Sequence, residues 1–286
     1  MKVSGFTLVK NGVKFCYPFK EAILSILPLC DEFIVNVGDS EDGTLESVES
    51  IDNEKIKIIR RQWDMSLREH GQLLSVETNH ALNQCTGDWR FYIQADEVLH
   101  EKYFSVVTEA MTKYLGNAKI EGLRFKYKHF YGSYDYYQDN YRRWYVRQAR
   151  VVRKKGDVVS WGDAMDFKHP DGSKLNVVDI DAEIYHYGHV RPPSAMTEKT
   201  EGFNKLYHSD QEVSQIMHSF QLYDDLGNLK KFEETHPAVM LDRIKCSNWE
   251  FDAKLNEQYP DWLRAILIFL HPLTKRVKRF FGAQNA

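Results

Sequence analysis

The chain has 286 residues, of which 43% are hydrophobic and 28% are charged, and its 38 basic and 41 acidic side chains give a formal net charge of −3. This composition is typical of a globular protein that buries a core without disulfides, and it excludes disordered, collagen-like and polytopic membrane chains. The small net charge provides no global positive field, so we expect no nucleic-acid partner.

The first hundred residues alternate strand-like and helix-like segments. Short apolar runs typical of buried strands occur at 6–9, 33–37, 56–59 and 89–93. Apolar side chains at helical spacing occur at 19–29, 71–84 and 101–115, and Thr44 opens a further short helix. This alternation predicts a parallel sheet with helices on both faces. Ligands of such sheets bind beyond the carboxyl ends of the strands.

Beyond residue 116 the pattern changes. Long strands are predicted at 120–131, 144–153 and 180–187, and an aromatic loop at 132–141 separates the first two. The chain after Pro193 is polar and has a helical pattern. We therefore predict a mixed, mostly antiparallel half that continues the parallel half in one domain.

The cysteines and the ends of the chain indicate a compartment. Cys16, Cys30, Cys85 and Cys246 include no C-x-x-C pair, so we expect free thiols in a reducing environment. The first residues lack the apolar stretch of a signal peptide, and the longest apolar run, 265–270, is far shorter than the roughly 20 residues that span a bilayer. We expect a cytoplasmic protein.

Polar motifs follow two of the predicted strands. The stretch 37–44 (VGDSEDGT) follows the second strand, and 94–97 (QADE) follows the fourth. In a functional interpretation, Asp39 contacts a ribose or a base, and carboxylates after the fourth strand hold a magnesium or manganese ion that bridges to nucleotide phosphates. The alternative is that both motifs are solvated turns.

The ordered set of motifs resembles family 2 glycosyltransferases with the GT-A fold. The resemblance covers about residues 3–100 and weakens through residue 190. It is carried by the following stretches in chain order: 9–11 (VKN), 37–44, 79–81 (NHA) with 87–88 (GD), and 94–96 (QAD). It implies an α/β, Rossmann-like, mostly parallel sheet with helices on both faces, then a mixed or antiparallel acceptor-side region and a helical C-terminus.

The same resemblance implies an organisation and a set of donor contacts. Residues 1–115 would form the nucleotide-sugar half, 116–195 the acceptor-side half, and 196–286 a helical extension. The residues that match nucleotide-binding positions are Val9, Asn11, Asp39, Asn79, Gln94 and Ala95. Two positions depart from the family pattern, because Val37 and Gln94 stand where its motifs carry aspartates.

The metal-binding position of the family motif is retained although Gln94 replaces its first aspartate. Asp96 matches the metal-binding acid of the family motif, and the resemblance implies a late histidine that completes the metal sphere. His186 and His189 are three apart and would point to opposite faces of a strand, and we prefer His186. Arg191 is expected to face the diphosphate with its planar guanidinium. The structural alternative for His186 is an ordinary core or surface histidine.

Inverting members of this fold use an Asp or Glu to deprotonate the acceptor hydroxyl. The stretch 161–167 (WGDAMDF) occupies roughly the place of that acid. Asp166 resembles it best and Asp163 is the alternative, whereas a purely structural role for both is the other possibility.

Three further stretches allow two interpretations each. The aromatic segment 125–145 could stack on sugars or bury its rings in a hairpin. The basic segment 141–155 could steer anionic substrates or form a solvated strand face. The tail 262–281 mixes apolar and basic residues, which favours either peripheral contact with the inner face of a membrane or a helix packed on its own domain.

These observations predict an inverting glycosyltransferase assisted by Mn²⁺ or Mg²⁺. The expected donor is a nucleotide-diphosphate sugar, with UDP-sugars preferred, and the expected acceptor is a hydroxyl of a carbohydrate or a lipid-linked precursor. A nucleotidyltransferase is the alternative among enzymes, and the loop at 10–14 is short for one. A non-catalytic, transferase-like binding protein is the alternative that Val37 and Gln94 favour.

Overall fold

The fold is described from a computed structural model, for residues 1–138, 145–154, 157–220, 222 and 229–251. The strands, in chain order, are β1 (Val3–Val9), β2 (Glu32–Gly38), β3 (Ile56–Arg61), β4 (Trp89–Tyr92), β5 (Glu97–Leu99), β6 (Gly122–Tyr131), β7 (Ser133–Gln138), β8 (Arg147–Arg153), β9 (Val159–Ser160), β10 (Phe167–Lys168), β11 (Val177–His189) and β12 (Leu229–Lys231). The helices are α1 (Phe19–Ile26), α2 (Thr44–Glu49), α3 (Gln72–Gln84), α4 (Phe104–Tyr114), α5 (Pro193–Asn204), α6 (Asp210–Ser219) and α7 (Leu241–Lys245).

The first half is a parallel sheet in the order β3-β2-β1-β4. Phe6 of β1 lies beside Ile34 of β2 and Tyr92 of β4. Phe6 and Ile34 pack with Leu73 of α3 on one face, whereas the alternate residues of β2, such as Phe33, pack with α1 and α4 on the other. Successive strand residues point to opposite faces, so a nearly continuous apolar sequence buries both. The helices on both faces that the sequence predicts are confirmed.

The second half extends the same sheet through antiparallel strands. β8 pairs with β4, then β6, β7 and β12 follow, and β11 lies parallel to β6 and antiparallel to β5. This parallel half followed by a mixed half is the GT-A arrangement that the resemblance implies, and the predicted fold class is confirmed. β11 brings His186 beside His129 of β6 in this register.

Two local predictions are wrong. The segment 132–141 was expected as a loop, but Ser133–Gln138 forms β7, because its alternating polar and aromatic residues pair with β6 after the positive-φ turn at Gly132. The segment after residue 196 is not helical throughout, since Leu229–Lys231 adds a strand beside β7. Among the described residues, the aromatic side chains of 133–138 thus belong to a strand.

The remaining expectations concern thiols and membranes. All four cysteines are free, and Cys30 and Cys85 are buried. Within the described part of the chain, no helix combines the length and the apolar character that crossing a membrane requires. The tail 262–281 lies outside the described residues, so its contact with a membrane surface stays a prediction.

Candidate active site

A cavity of about 810 Å³ lies at the carboxyl ends of β1 and β4. Its walls come from the loop after β1, the loop after β4, the segment 163–165, the end of β11 and the helix α5. Its volume falls within the range of roughly 300–1,000 Å³ in which small-molecule sites are found. The sheet therefore presents a cavity of ligand size at the edge that the strand pattern predicts.

Side chains that follow β2 in the sequence hold the loop after β1. The backbone N–H of Asn11, a residue with φ +52°, donates to Ser40 Oγ at 2.9 Å, and that of Gly12 donates to Thr44 Oγ1 at 2.8 Å. Val9 and Asn11 line the cavity. The motif at 37–44 thus contacts the motif at 9–11 and holds it in position.

Asp39 stands just behind this wall. Its Oδ1 accepts hydrogen bonds from the Lys10 ammonium and, at 3.0 Å, from the backbone N–H of Trp63. Burial acts to raise the pKa of Asp39, but these hydrogen bonds outweigh it and hold the pKa below its usual range. Lys10 and Trp63 line the cavity, and Asp39 orients them from outside the lining.

The loop after β4 is anchored by a buried ion pair. Glu97 and Arg150 are fully buried and form two parallel hydrogen bonds of 2.8 Å. The Tyr127 hydroxyl donates to the same carboxylate at 2.8 Å. Breaking such a buried ion pair is costly. Glu97 is therefore held in place, and it fixes the position of the loop at 94–96 that precedes it. Gln94, Ala95 and Asp96 in this loop line the cavity.

Asp96 and His186 lie side by side in that cavity. Asp96 Oδ1 is 3.8 Å from His186 Nε2, and the other ring nitrogen of His186 is 3.0 Å from His129 Nδ1. His129 Nε2 is in turn 2.7 Å from the carbonyl oxygen of Tyr145, which only accepts. In neutral rings, Nε2 of His129 therefore donates to Tyr145 and Nδ1 of His186 donates to His129. His186 Nε2 then carries a lone pair next to Asp96.

The electrostatics of the pair agree with this tautomer. Burial lowers the pKa of His186 below its usual range, which favours the neutral ring. Burial acts to raise the pKa of Asp96, but positive charge nearby, on His186 when it is protonated and on Lys199 and Arg191, outweighs burial and holds this pKa below its usual range. A carboxylate oxygen and a neutral imidazole nitrogen are both ligands for divalent ions. Among the described residues, no group of three or more His, Cys, Asp or Glu side chains could hold a metal.

The two candidate bases face different ways. Asp163 lines the cavity, and the Tyr207 hydroxyl donates to its Oδ2 at 3.2 Å. Asp166 lies outside the lining, and its Oδ1 accepts from the backbone N–H groups of Phe167 at 2.9 Å and Ala149 at 3.3 Å. Between the two acids, Ala164 has φ +61°, a left-handed conformation that is uncommon for a residue other than glycine.

Two other predicted residues are placed behind the cavity wall. Arg191 is buried, with its guanidinium 4.7 Å from the Tyr17 ring centre and hydrogen-bonded to the carbonyl oxygens of Phe15 and Gly188. Asn79 of α3 exchanges two hydrogen bonds with the backbone of Ser160, at 2.8 and 2.9 Å. Both residues support walls of the cavity without lining it.

The sequence reasoning missed Lys199 and Tyr207. Lys199 of α5 lines the cavity, and Tyr207, which follows α5, contacts Asp163. A polar helix carries no local signal of which lysine faces inward. The contacts join residues that are far apart in the sequence, so only the fold reveals them.

No family model and no curated protein matches the chain. Similar solved structures include Staphylococcus aureus TarS 1–349 in complex with UDP, with a TM-score of 0.45 and 15% identity over 76% of this chain and 70% of that one. Glucosyl-3-phosphoglycerate synthase from Mycobacterium tuberculosis, in complex with Mn²⁺, UDP and glucosyl-3-phosphoglycerate, gives 0.40 and 12% over 73% and 81%. A longer TarS structure gives 0.45 and 16% over 70% of this chain and 38% of that chain, so the chain spans well under half of its length. With TM-scores below 0.5, we draw no functional conclusion from these similarities.

Proposed function

We propose that the chain is an inverting glycosyltransferase that takes a sugar from a nucleotide-diphosphate sugar, with UDP-sugars as the preferred donors. The observation that carries the proposal is the pair formed by Asp96 Oδ1 and His186 Nε2, 3.8 Å apart. The pair lies in a cavity of about 810 Å³ at the carboxyl edge of the sheet. A chain of hydrogen bonds directs the lone pair of His186 toward the ionised carboxylate.

Asp96 and His186 would hold a Mn²⁺ or Mg²⁺ ion. Their separation of 3.8 Å is short enough for one ion to contact both, since ligand bonds to Mg²⁺ are about 2.0–2.1 Å long. The ion, when bound, offsets negative charge on the leaving diphosphate. Two protein ligands leave room for diphosphate oxygens, which is the usual way in which Mg²⁺ is shared between a protein and a nucleotide.

Asp163 is our choice for the catalytic base. It lines the cavity, whereas Asp166, which resembles the family acid best, is turned toward backbone amides. The carboxylate of Asp163 would take the proton of the acceptor hydroxyl as that oxygen bonds to the anomeric carbon. The bond from the anomeric carbon to the diphosphate breaks on the opposite side, and the configuration inverts. The acceptor is a carbohydrate or a lipid-linked precursor.

A non-catalytic, nucleotide-binding role is the second candidate. Gln94 favours it, because the amide of Gln94 donates to the carbonyl oxygen of Ala164 at 3.1 Å and brings no charge to the metal. Such a protein would bind the donor and leave it intact. Product formation therefore separates the two candidates.

The test is incubation with a panel of nucleotide-diphosphate sugars and simple glycoside acceptors, with Mn²⁺ or with EDTA. We expect Mn²⁺-dependent release of the nucleoside diphosphate together with a new glycoside of inverted anomeric configuration. The Asp163→Asn variant serves as the matched negative control. Tight donor binding without turnover for any donor would instead support the binding protein.

A further inference from the structure

Lys199 and Arg191 converge on one backbone carbonyl beside the Asp96–His186 pair. Lys199 Nζ donates to the Gly188 oxygen at 3.0 Å, and Arg191 Nη2 donates to the same oxygen at 2.9 Å. A Cβ atom on Gly188 would be 3.0 Å from Asp96 Oδ2 and 2.6 Å from His186 Nε2. The carbonyl that gathers the two cations therefore belongs to the residue packed against both candidate metal ligands.

Lys199 differs from the other lysines of the cavity in its partners. Lys10 pairs with Asp39, Lys14 lies 3.8 Å from Glu198, and Lys205 lies 2.6 Å from Glu201. Within the described residues, Lys199 has no ion pair of this kind with a carboxylate. Its ammonium is held at the cavity by a neutral carbonyl oxygen.

The surroundings of Lys199 disfavour its charged form. Burial, with a further contribution from the nearby Arg191, lowers the pKa of Lys199 to about 7, although Asp96 acts in the opposite direction. The ammonium is half-buried, and the nearest acid acting on it, Asp96, forms no ion pair with it among the described residues, so its charge is only partly compensated. An anion that entered the cavity would remove this cost. A negatively charged ligand in the cavity would supply the counter-charge that Lys199 lacks among the described residues.

We propose that Lys199 binds the diphosphate of the donor and, together with the metal ion, offsets its negative charge. This inference rests on the proposed function and assigns to the same site a residue from α5, which lies outside the parallel half. Gln94 brings no carboxylate to hold the metal ion, and Lys199 would supply positive charge to the diphosphate without depending on that ion. The ligand group that Lys199 recognises is the diphosphate, and the nucleoside is recognised elsewhere in the cavity.

The test compares binding of UDP and of uridine to the wild type, Lys199→Met and Lys126→Met, all with Mn²⁺. Lys126 is a matched control because it pairs with Asp181 on the protein surface, outside the cavity. Lys199→Met should weaken UDP binding at least about tenfold and leave uridine binding within about twofold, because a charged hydrogen bond to the diphosphate alone is lost. Lys126→Met should change neither, and Lys199→Arg should keep most of the UDP affinity.

The outcomes distinguish a failure of this inference from a failure of the proposed glycosyltransferase function. If Lys199→Met binds UDP as tightly as the wild type, the inference is wrong and the proposed function stands. If Lys199→Met loses uridine as well as UDP, the residue supports the cavity as a whole, and the inference is again wrong. If the wild type binds none of UDP, GDP, ADP, CDP and TDP, the proposed function fails and the inference with it.

Discussion

The Nδ1 atoms of His129 and His186 lie 3.0 Å apart, and the Tyr145 carbonyl oxygen lies 2.7 Å from the other ring nitrogen of His129. This relay determines which nitrogen of His186 carries the proton. Outer histidines and carbonyls of this kind orient metal ligands in many proteins. If His186 holds a metal ion as proposed, His129 of β6 would orient that ligand without lining the cavity.

We expect His129→Phe to weaken Mn²⁺ binding about 10- to 100-fold, because the tautomer and orientation of His186 are no longer fixed. The measurement is the free Mn²⁺ concentration, read by electron paramagnetic resonance during titration in the presence of UDP. His80→Phe is the control, since His80 is exposed on α3. Unchanged Mn²⁺ affinity in His129→Phe would show that His129 does not orient His186 for metal binding.

The sequence predicts those site residues whose position depends only on a local strand pattern. Asp96 follows β4, and the carboxyl ends of parallel strands share one edge, so a strand pattern is enough to bring it to a cavity. His129 could not be predicted, because its contact with His186 depends on the register of β6 against β11. That register is set by packing along two long strands and by shifts within them.

The choice between Asp163 and Asp166 was also beyond the sequence. The two acids are three residues apart, and a regular strand would place them on opposite faces without saying which faces inward. Asp163 lines the cavity, and Ala164 beside it has φ +61°, a conformation that nothing in the identity of an alanine predicts. The pairing of β7 with β6 could not be predicted from the sequence either, because aromatic residues are common both in strands and in loops that bind sugars.

Gly188→Ala should disrupt the candidate metal pair. A Cβ atom at this position would lie 2.5 Å from His186 Cε1 and 3.0 Å from Asp96 Oδ2, so at least one ligand must move. We expect the gain in UDP affinity on adding Mn²⁺ to fall at least about tenfold, as misplaced ligands lose metal binding. Isothermal titration calorimetry with and without Mn²⁺ gives this gain directly.

The control for that variant is Gly116→Ala, because nothing lies within 4 Å of a Cβ atom built there. It should bind UDP and Mn²⁺ as the wild type does. If Gly188→Ala retains the full Mn²⁺-dependent gain while its fold is intact by circular dichroism, Asp96 and His186 do not act together on a metal.

Asp163→Asn should lower kcat by about 10² or more if Asp163 is the base, because the amide cannot take the acceptor proton. Donor binding should stay at the wild-type level, because Asn has nearly the same shape as Asp. Turnover is measured from release of the nucleoside diphosphate at saturating donor and acceptor. Asp166→Asn provides the comparison, and normal turnover in Asp163→Asn with a comparable loss in Asp166→Asn would reverse the assignment.

Donor affinity should decrease as pH rises through about 7. Burial and Arg191 lower the pKa of Lys199 to about 7, so its charged form is present below that pH and is lost above it. The facing groups hold their charge states, because Asp96 has a lowered pKa and stays ionised, and burial lowers the pKa of both His186 and His189. A diphosphate that prefers the ammonium therefore binds more tightly at low pH.

The pH series is measured with a UDP-sugar, whose esterified diphosphate lacks the phosphate ionisation near pH 6 that a terminal phosphate has. Affinity in the wild type should fall by up to about tenfold per pH unit above the transition, and Lys199→Arg should show no such fall because Arg stays charged. Identical pH profiles for the wild type and Lys199→Arg would assign the dependence to another group.

We propose that Asp96 brings a divalent ion to the diphosphate of a nucleotide in this cavity. The most direct measurement is calorimetric titration of UDP into the wild type and Asp96→Asn, each with Mn²⁺ and with EDTA. We expect Mn²⁺ to tighten UDP binding at least about tenfold in the wild type, and we expect no gain in the variant, whose metal-free affinity should match that of the wild type. An equal Mn²⁺-dependent gain in both proteins, or no gain in the wild type, would contradict the account.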